Sequence, residues 1–205
     1  MKIGVLALQG AFIEHVRIID YLGSEAKEIR LAEELAGLEG IIIPGGESTT
    51  ILKLMHGYNL FQPLKQMVQH GLPVWGTCAG MICLAQKIYN ADQSILQPLQ
   101  VMDIDVKRNA FGRQVDSFEI DLSIPVLGEK LYHAVFIRAP LIEKIGQGVK
   151  TLASLSDGTI VAAQQNTILV TSFHPELTND LRFHKYFLNL AEKFKLNNLF
   201  ARSNK

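Results

Sequence analysis

Val74-Trp75-Gly76-Thr77-Cys78-Ala79-Gly80 starts as a short apolar strand, turns at a cysteine between two glycines, and runs into a helix predicted from Ala79 to Lys87. A buried strand followed at once by a helix is the βα unit of a parallel sheet. The pattern recurs on the N-terminal side. Ile3 to Leu8 is an apolar run followed by a helix on which Phe12, Val16 and Ile19 share a face. Ile41 to Ile43 is a wholly apolar strand ending at Pro44-Gly45-Gly46, after which Ser48 is placed to cap a helix through Leu54. Leu60, Leu64, Met67 and Val68 keep helical spacing up to the strand at Val74. The first half therefore reads as α/β with a parallel sheet.

The second half changes character. Val101 to Val106, Val115 to Ile120, Leu131 to Ile137, Thr151 to Leu155 and Ile160 to Ala163 are strand-like with short polar turns, which predicts antiparallel hairpins. Thr167 to Phe173 is a further strand, and Phe183, Phe187, Leu190 and Phe194 put an apolar stripe on a closing helix.

A length of 205 residues suits one domain over residues 1–205 with a sizeable core. Lys plus Arg and Asp plus Glu both number 20, so no basic surplus is available for a phosphate backbone or an anionic bilayer, and nucleic acid and membrane are excluded as expected partners. Cys78 and Cys83 fit neither a disulfide framework nor a zinc knuckle, so no metal is expected and a reducing cytoplasm is the expected setting. The run at Ile3 is too short for a signal sequence, and no later run approaches a membrane span. A phosphate-binding G-x-x-x-x-G-K-[ST] loop is absent, and Gly146-Gln147-Gly148 lacks a third glycine and a preceding strand, so neither ATP nor NAD is implied.

The chemistry concentrates in a few residues. Gly76-Thr77-Cys78-Ala79-Gly80 has the G-x-nucleophile-x-G form of an elbow, whose glycines make room for a sharp turn. There the helix start favours a thiolate, and the Ala79 N–H is placed to donate to a developing oxyanion. A structural cysteine in a tight turn is the alternative, and Cys83, without flanking glycines, is assigned to the core. Of the histidines at 15, 56, 70, 133, 174 and 184, His174 has the neighbours a base needs. In extended backbone Glu176 points to its side, and Pro175 biases it toward that geometry. A His-Pro-Glu turn capping the last helix is the plainer reading, and His133 is the second candidate base. Gly45 and Gly46 permit a backbone N–H to face the same oxyanion, although an ordinary turn before a helix explains them equally well.

Taken together these residues resemble the triad glutamine amidotransferases, and within them the glutaminase subunits of pyridoxal 5′-phosphate synthase. The likeness runs through Leu8-Gln9-Gly10 with Glu14-His15, Pro44 to Thr50, Gly76 to Met81, Arg108 to Glu119, Phe136 to Pro140 and Ser172 to Thr178. The resemblance implies a three-layer, flavodoxin-like α/β sandwich with a mostly parallel central sheet. It also implies Cys78 as nucleophile, His174 and Glu176 as relay, and L-glutamine contacts from Gly46, Glu47, Ser48, Arg108, Ile137 and Arg138. Ammonia would pass to a TIM-barrel synthase subunit in a large hetero-oligomer with equal numbers of each subunit, and this chain would itself bind no pyridoxal phosphate or other cofactor. Two departures stand out: Gln100, where relatives often carry glycine, and Cys83, where an aliphatic residue is more usual.

Overall fold

The computed structural model describes residues 1–89, 97–108 and 117–203. In chain order the elements are β1 (Lys2–Leu6), α1 (Phe12–Tyr21), β2 (Glu25–Ile29), β3 (Gly40–Ile43), α2 (Ser48–Gly57), α3 (Phe61–Gln69), β4 (Val74–Thr77), α4 (Ala79–Leu84), β5 (Lys87–Tyr89) and β6 (Ile104–Lys107). They continue with β7 (Ser117–Leu122), β8 (Tyr132–Ile137), β9 (Leu141–Ile145), β10 (Lys150–Ser154), β11 (Ile160–Gln165), β12 (Ile168–Thr171) and α5 (Arg182–Ser203).

Strands β3, β4 and β12 are buried at every position, so each needs cover on both faces. They supply the centre of the main sheet, ordered β2-β1-β3-β4-β12-β11-β9-β6-β5, with β10 paired to β11. From β2 to β12 all pairs are parallel, and β12–β11, β11–β9 and β9–β6 are antiparallel. Alternation along β3 splits the core in two. Ile41 and Ile43 pack with Ile51, Leu52, Leu64 and Met81 from α2, α3 and α4, and Ile42 packs on the opposite face with Ile19 of α1 and Phe183 and Phe187 of α5. The separate β7–β8 ribbon adds Leu122, Tyr132 and Phe136 to that second layer. The three-layer α/β architecture with a mostly parallel sheet matches the expectation.

Several elements differ from the sequence reading. The helix expected over Ala79–Lys87 stops at Leu84 because residues 87–89 pair with β6 as an edge strand. β2 and β9 had no assignment: Glu-Ala-Lys-Glu-Ile and Leu-Ile-Glu-Lys-Ile are charged edge or half-covered strands with little apolar signature. On α1 the buried residues are His15 and Ile19, so the inward face is centred one position before Val16. α2 is capped by Glu47, whose Oε1 accepts from the Thr49 N–H at 3.3 Å, and Ser48 is the first helical residue. The first two residues of the strand expected over Val115–Ile120, like most of the Arg108–Glu119 stretch, lie outside the described residues. Gln100 has φ +54°, a left-handed conformation that accounts for the glycine preference there.

Candidate active site

The carboxyl ends of β1, β3, β4 and β12 converge at one edge of the sheet, where open α/β sheets place their ligands. Cys78 follows β4 with φ +47° and ψ −103°, a backbone combination that L-residues adopt only when the surroundings enforce it. Here they do. The Cys78 N–H donates to the Thr171 carbonyl at 2.8 Å, which holds the elbow against β12. The flanking glycines are obligatory: a Cβ at Gly76 would lie 2.5 Å from the Gly80 carbonyl carbon, and one at Gly80 would lie 2.0 Å from the Ile43 carbonyl oxygen. The thiol is 7% exposed, and its Sγ is 3.9 Å from the Ile137 carbonyl oxygen.

His174 leaves β12 with its backbone N–H bonded to the Val135 carbonyl at 2.8 Å, so the β7–β8 ribbon helps fix the ring. Its Nδ1 donates to Glu176 Oε1 at 2.7 Å, and Glu176 is 5% exposed in the 3-10 turn Pro175–Leu177. Burial acts against a charge on His174, but hydrogen bonds to Cys78 and Glu176 outweigh it and raise its pKa above the ordinary histidine value. The structure thus brings Cys78, His174 and Glu176 together, with His174 between the other two. His133 lies elsewhere, on the solvent side of β8 between Asp121 at 2.9 Å and Glu119 at 2.8 Å.

Gly45 fills the space beside the pair, where a Cβ would lie 2.4 Å from His174 Cε1 and 3.4 Å from the Cys78 Cβ. Its carbonyl accepts from the Ala11 N–H at 3.0 Å, while the Glu47 N–H donates to Gln9 Oε1 at 2.7 Å. The Gly45-Gly46 turn is therefore tied to the Gln9–Ala11 segment. Ala79 is buried as the first residue of α4. Around the mouth, Arg108 pairs with Glu47 Oε1 at 3.0 Å, Ser48 Oγ is buried without a hydrogen bond among the described residues, and Arg138 is exposed at φ +43° directly after Ile137. Among the described residues no group of three or more His, Cys, Asp or Glu is arranged to hold a metal ion, and no helix is long and apolar enough to cross a membrane.

Two buried histidines were missed as site residues. His15 Nε2 stands 3.4 Å from Glu176 Oε2, and His15 Nδ1 is 3.0 Å from His184 Nε2. The signal was spacing: position 15 lies one turn before Ile19 on the inward face.

The two cysteines differ in a way that chemistry can read. Cys83 is fully buried, and burial pushes its thiol up to about 12. A glutamine-like chloroketone should alkylate Cys78 and spare Cys83, as scored by peptide mapping of the folded chain. Modification of Cys83 first would move the nucleophile to the wrong thiol.

Sheet order and cysteine elbow place the chain in the class of glutamine amidotransferase folds. A solved structure described as a crystal structure of glutamine amidotransferase matches with TM-score 0.86 and 49% identity, covering 93% of this chain and 98% of that one. The structure of PurLQS from Thermotoga maritima shares the fold at TM-score 0.64 and 15% identity, covering 97% of this chain and 98% of that one. The chain belongs to the SNO glutamine amidotransferase family, whose model matches residues 5–193. Relatives described as pyridoxal 5′-phosphate synthase subunit PdxT include one from Dehalococcoides mccartyi, 59% identical over 95% of this chain and 100% of the relative. Another, from Herpetosiphon aurantiacus, is 57% identical over 93% of this chain and 100% of the relative.

Proposed function

We propose that this chain hydrolyses L-glutamine to L-glutamate and ammonia through a thioester on Cys78, and hands the ammonia to a pyridoxal 5′-phosphate synthase subunit. The observation that carries the reading is the buried line Cys78–His174–Glu176 at the carboxyl end of β4 and β12. In the first step the thiolate attacks the side-chain amide carbon, and the carbonyl electrons move onto oxygen. The N–H groups of Ala79 and of the Gly45-Gly46 turn are the donors for that oxyanion. The imidazolium of His174 gives its proton to the departing ammonia, leaving the acyl group on sulfur. The neutral ring then removes a proton from water, which attacks the thioester and releases glutamate with the thiolate restored. Glu176 stays ionised and holds the ring in the Nδ1–H tautomer.

Substrate recognition follows from complementary charge. Glutamine carries an α-carboxylate and an α-ammonium, which Arg108, Arg138 and Glu47 complement, with backbone contacts from Gly46 and Ile137 and a hydroxyl from Ser48. Because Arg108 and Glu47 pair with each other at the mouth, substrate must replace one partner of that pair. The expected partner is a TIM-barrel synthase subunit, present in equal numbers with this chain. Both thiols are free, in keeping with a reducing, cytoplasmic setting.

The test is glutamate release by wild type and by Cys78→Ala, each with and without the synthase subunit. Release should vanish in the variant and rise severalfold with the partner in wild type. Wild-type release by Cys78→Ala would overturn the reading.

A further inference from the structure

Resting on that reading, the structure assigns a further pair to the site: we propose that His15, oriented by His184, is a positioning residue that presents its Nε2–H to Glu176 and so fixes the carboxylate that steers His174.

Glu176 uses one oxygen on His174, at 2.7 Å. Its other oxygen, Oε2, is buried without a hydrogen bond among the described residues, and His15 Nε2 stands 3.4 Å away. That separation is long for a hydrogen bond, and catalytic contacts of this kind shorten when substrate is bound. A buried carboxylate oxygen with no donor is costly, which gives the contact a direction in which to close.

The tautomers follow from the hydrogen-bond inventory. His15 Nδ1 and His184 Nε2 are 3.0 Å apart, so one of them carries the shared proton. His184 Nδ1 is buried and has no partner among the described residues. If His15 Nδ1 were the donor, a neutral His184 would carry its own proton on Nδ1, an N–H with nothing to accept it, and His15 would turn a lone pair toward the Glu176 carboxylate. With His184 donating from Nε2, its Nδ1 is a bare lone pair, and His15 is left with Nε2–H aimed at Oε2. The second arrangement leaves no N–H facing away from every acceptor, because His15 Nε2–H then has Glu176 Oε2 at 3.4 Å and Thr77 Oγ1 at 3.5 Å. It gives one line of donors: His184 to His15, His15 to Glu176, and His174 to Glu176 from the other side. Trp75 packs against both rings, its centroid 5.6 Å from His15 and 4.9 Å from His184, which fixes their planes.

The titratable groups facing His15 are Glu176 and His174 from the turn after β12, Glu14 on its own helix, and His184 of α5; the Thr77 hydroxyl is 3.5 Å from Nε2. Burial lowers the pKa of His15, the largest influence on it, and also that of His184. Both rings are therefore neutral at neutral pH, and His15 acts on Glu176 as an N–H dipole and not as a cation. Removing that dipole makes Glu176 easier to protonate, so the acid limb of the rate profile should move to higher pH.

The experiment compares His15→Leu and His15→Gln with wild type and Cys78→Ala, all with the synthase subunit present and with folding checked by circular dichroism. His15→Leu should lose roughly 10–100-fold in kcat with KM unchanged, and its acid limb should shift upward. His15→Gln, whose amide can still donate to Oε2, should recover most of the loss. Wild-type kcat and profile in a folded His15→Leu, or equal losses in both variants, would overturn the role of His15 while an inactive Cys78→Ala left the triad standing. Wild-type release by Cys78→Ala would instead overturn the triad and this inference with it. Because His15→Leu can fail to fold, nitrogen-15 NMR of ring-labelled wild type reads the tautomers directly. Both His15 and His184 should be neutral and protonated on Nε2; an Nδ1–H on either ring overturns the assignment.

Discussion

His174→Ala should lower glutamate release by roughly 10⁴–10⁶, close to the complete loss expected for Cys78→Ala. One imidazole is asked to act twice in the proposed cycle, as acid for ammonia and as base for water. Water cannot replace it efficiently, because Cys78 and His174 are 7% and 8% exposed and the space next to them is filled by Gly45. Glu176→Gln should be milder, roughly 10–10³, since the His174 backbone keeps its bond to the Val135 carbonyl and a thiolate depends less on the acid of a triad than a serine does. Steady-state glutamate release at saturating synthase subunit, with circular dichroism as the folding check, measures both. If Glu176→Gln turned over like wild type, Glu176 would be a cap for the turn at Pro175, leaving a dyad. Equal, near-complete losses in the two variants would mean that the carboxylate is as essential as the ring.

The second large effect concerns folding. Gly80→Ala should cost roughly 3 kcal/mol or more, at the upper end for overpacking, out of a total of about 5–15 kcal/mol for a domain. The added methyl would sit 2.0 Å from the Ile43 carbonyl oxygen, which is backbone at the carboxyl end of a fully buried strand and has no rotamer to change. Relief requires α4 to lift from β3, and α4 carries Met81, Ile82, Cys83 and Leu84 into the core. Urea titration of wild type and variant should show a fall in midpoint with an unchanged slope. Gly23→Ala is the control for glycine loss as such, because a Cβ there meets nothing within 4 Å, although its φ of +79° adds some strain of its own. Equal midpoints for Gly80→Ala and wild type would show that the α4–β3 contact is looser than described.

How much was legible in the sequence depended on whether the signal was local. The cysteine elbow was readable because two glycines must flank a residue held at φ +47°, and His174 and Glu176 because they stand two apart, although it is a 3-10 turn and not the expected extended backbone that brings their side chains together. The buried strands β3, β4 and β12 announced themselves as apolar runs. Edge strands did not: β2 carries three charged residues among five, and only pairing with β1 defines it. The cap at Glu47 was misassigned because Glu is an uncommon cap, and the Arg108 ion pair that orders its side chain joins positions far apart in sequence. His15 and His184 were invisible for the same reason. Each looks like an isolated histidine until α1 and α5 are laid on the same face of the sheet, where Trp75 brings them together.

The position of β12 has a consequence for how the chain is made. It is the last strand in sequence, yet it lies at the middle of the sheet, between β4 and β11. During synthesis β4 therefore waits with one edge open until residues 168–171 leave the ribosome, and the elbow has no Thr171 carbonyl to hold it. Cys78 and His174 enter the chain far apart and meet in the last insertion. A nascent or prematurely ended chain consequently lacks the assembled candidate site and is sticky along β4, so that on the proposed reading it would leave glutamine untouched.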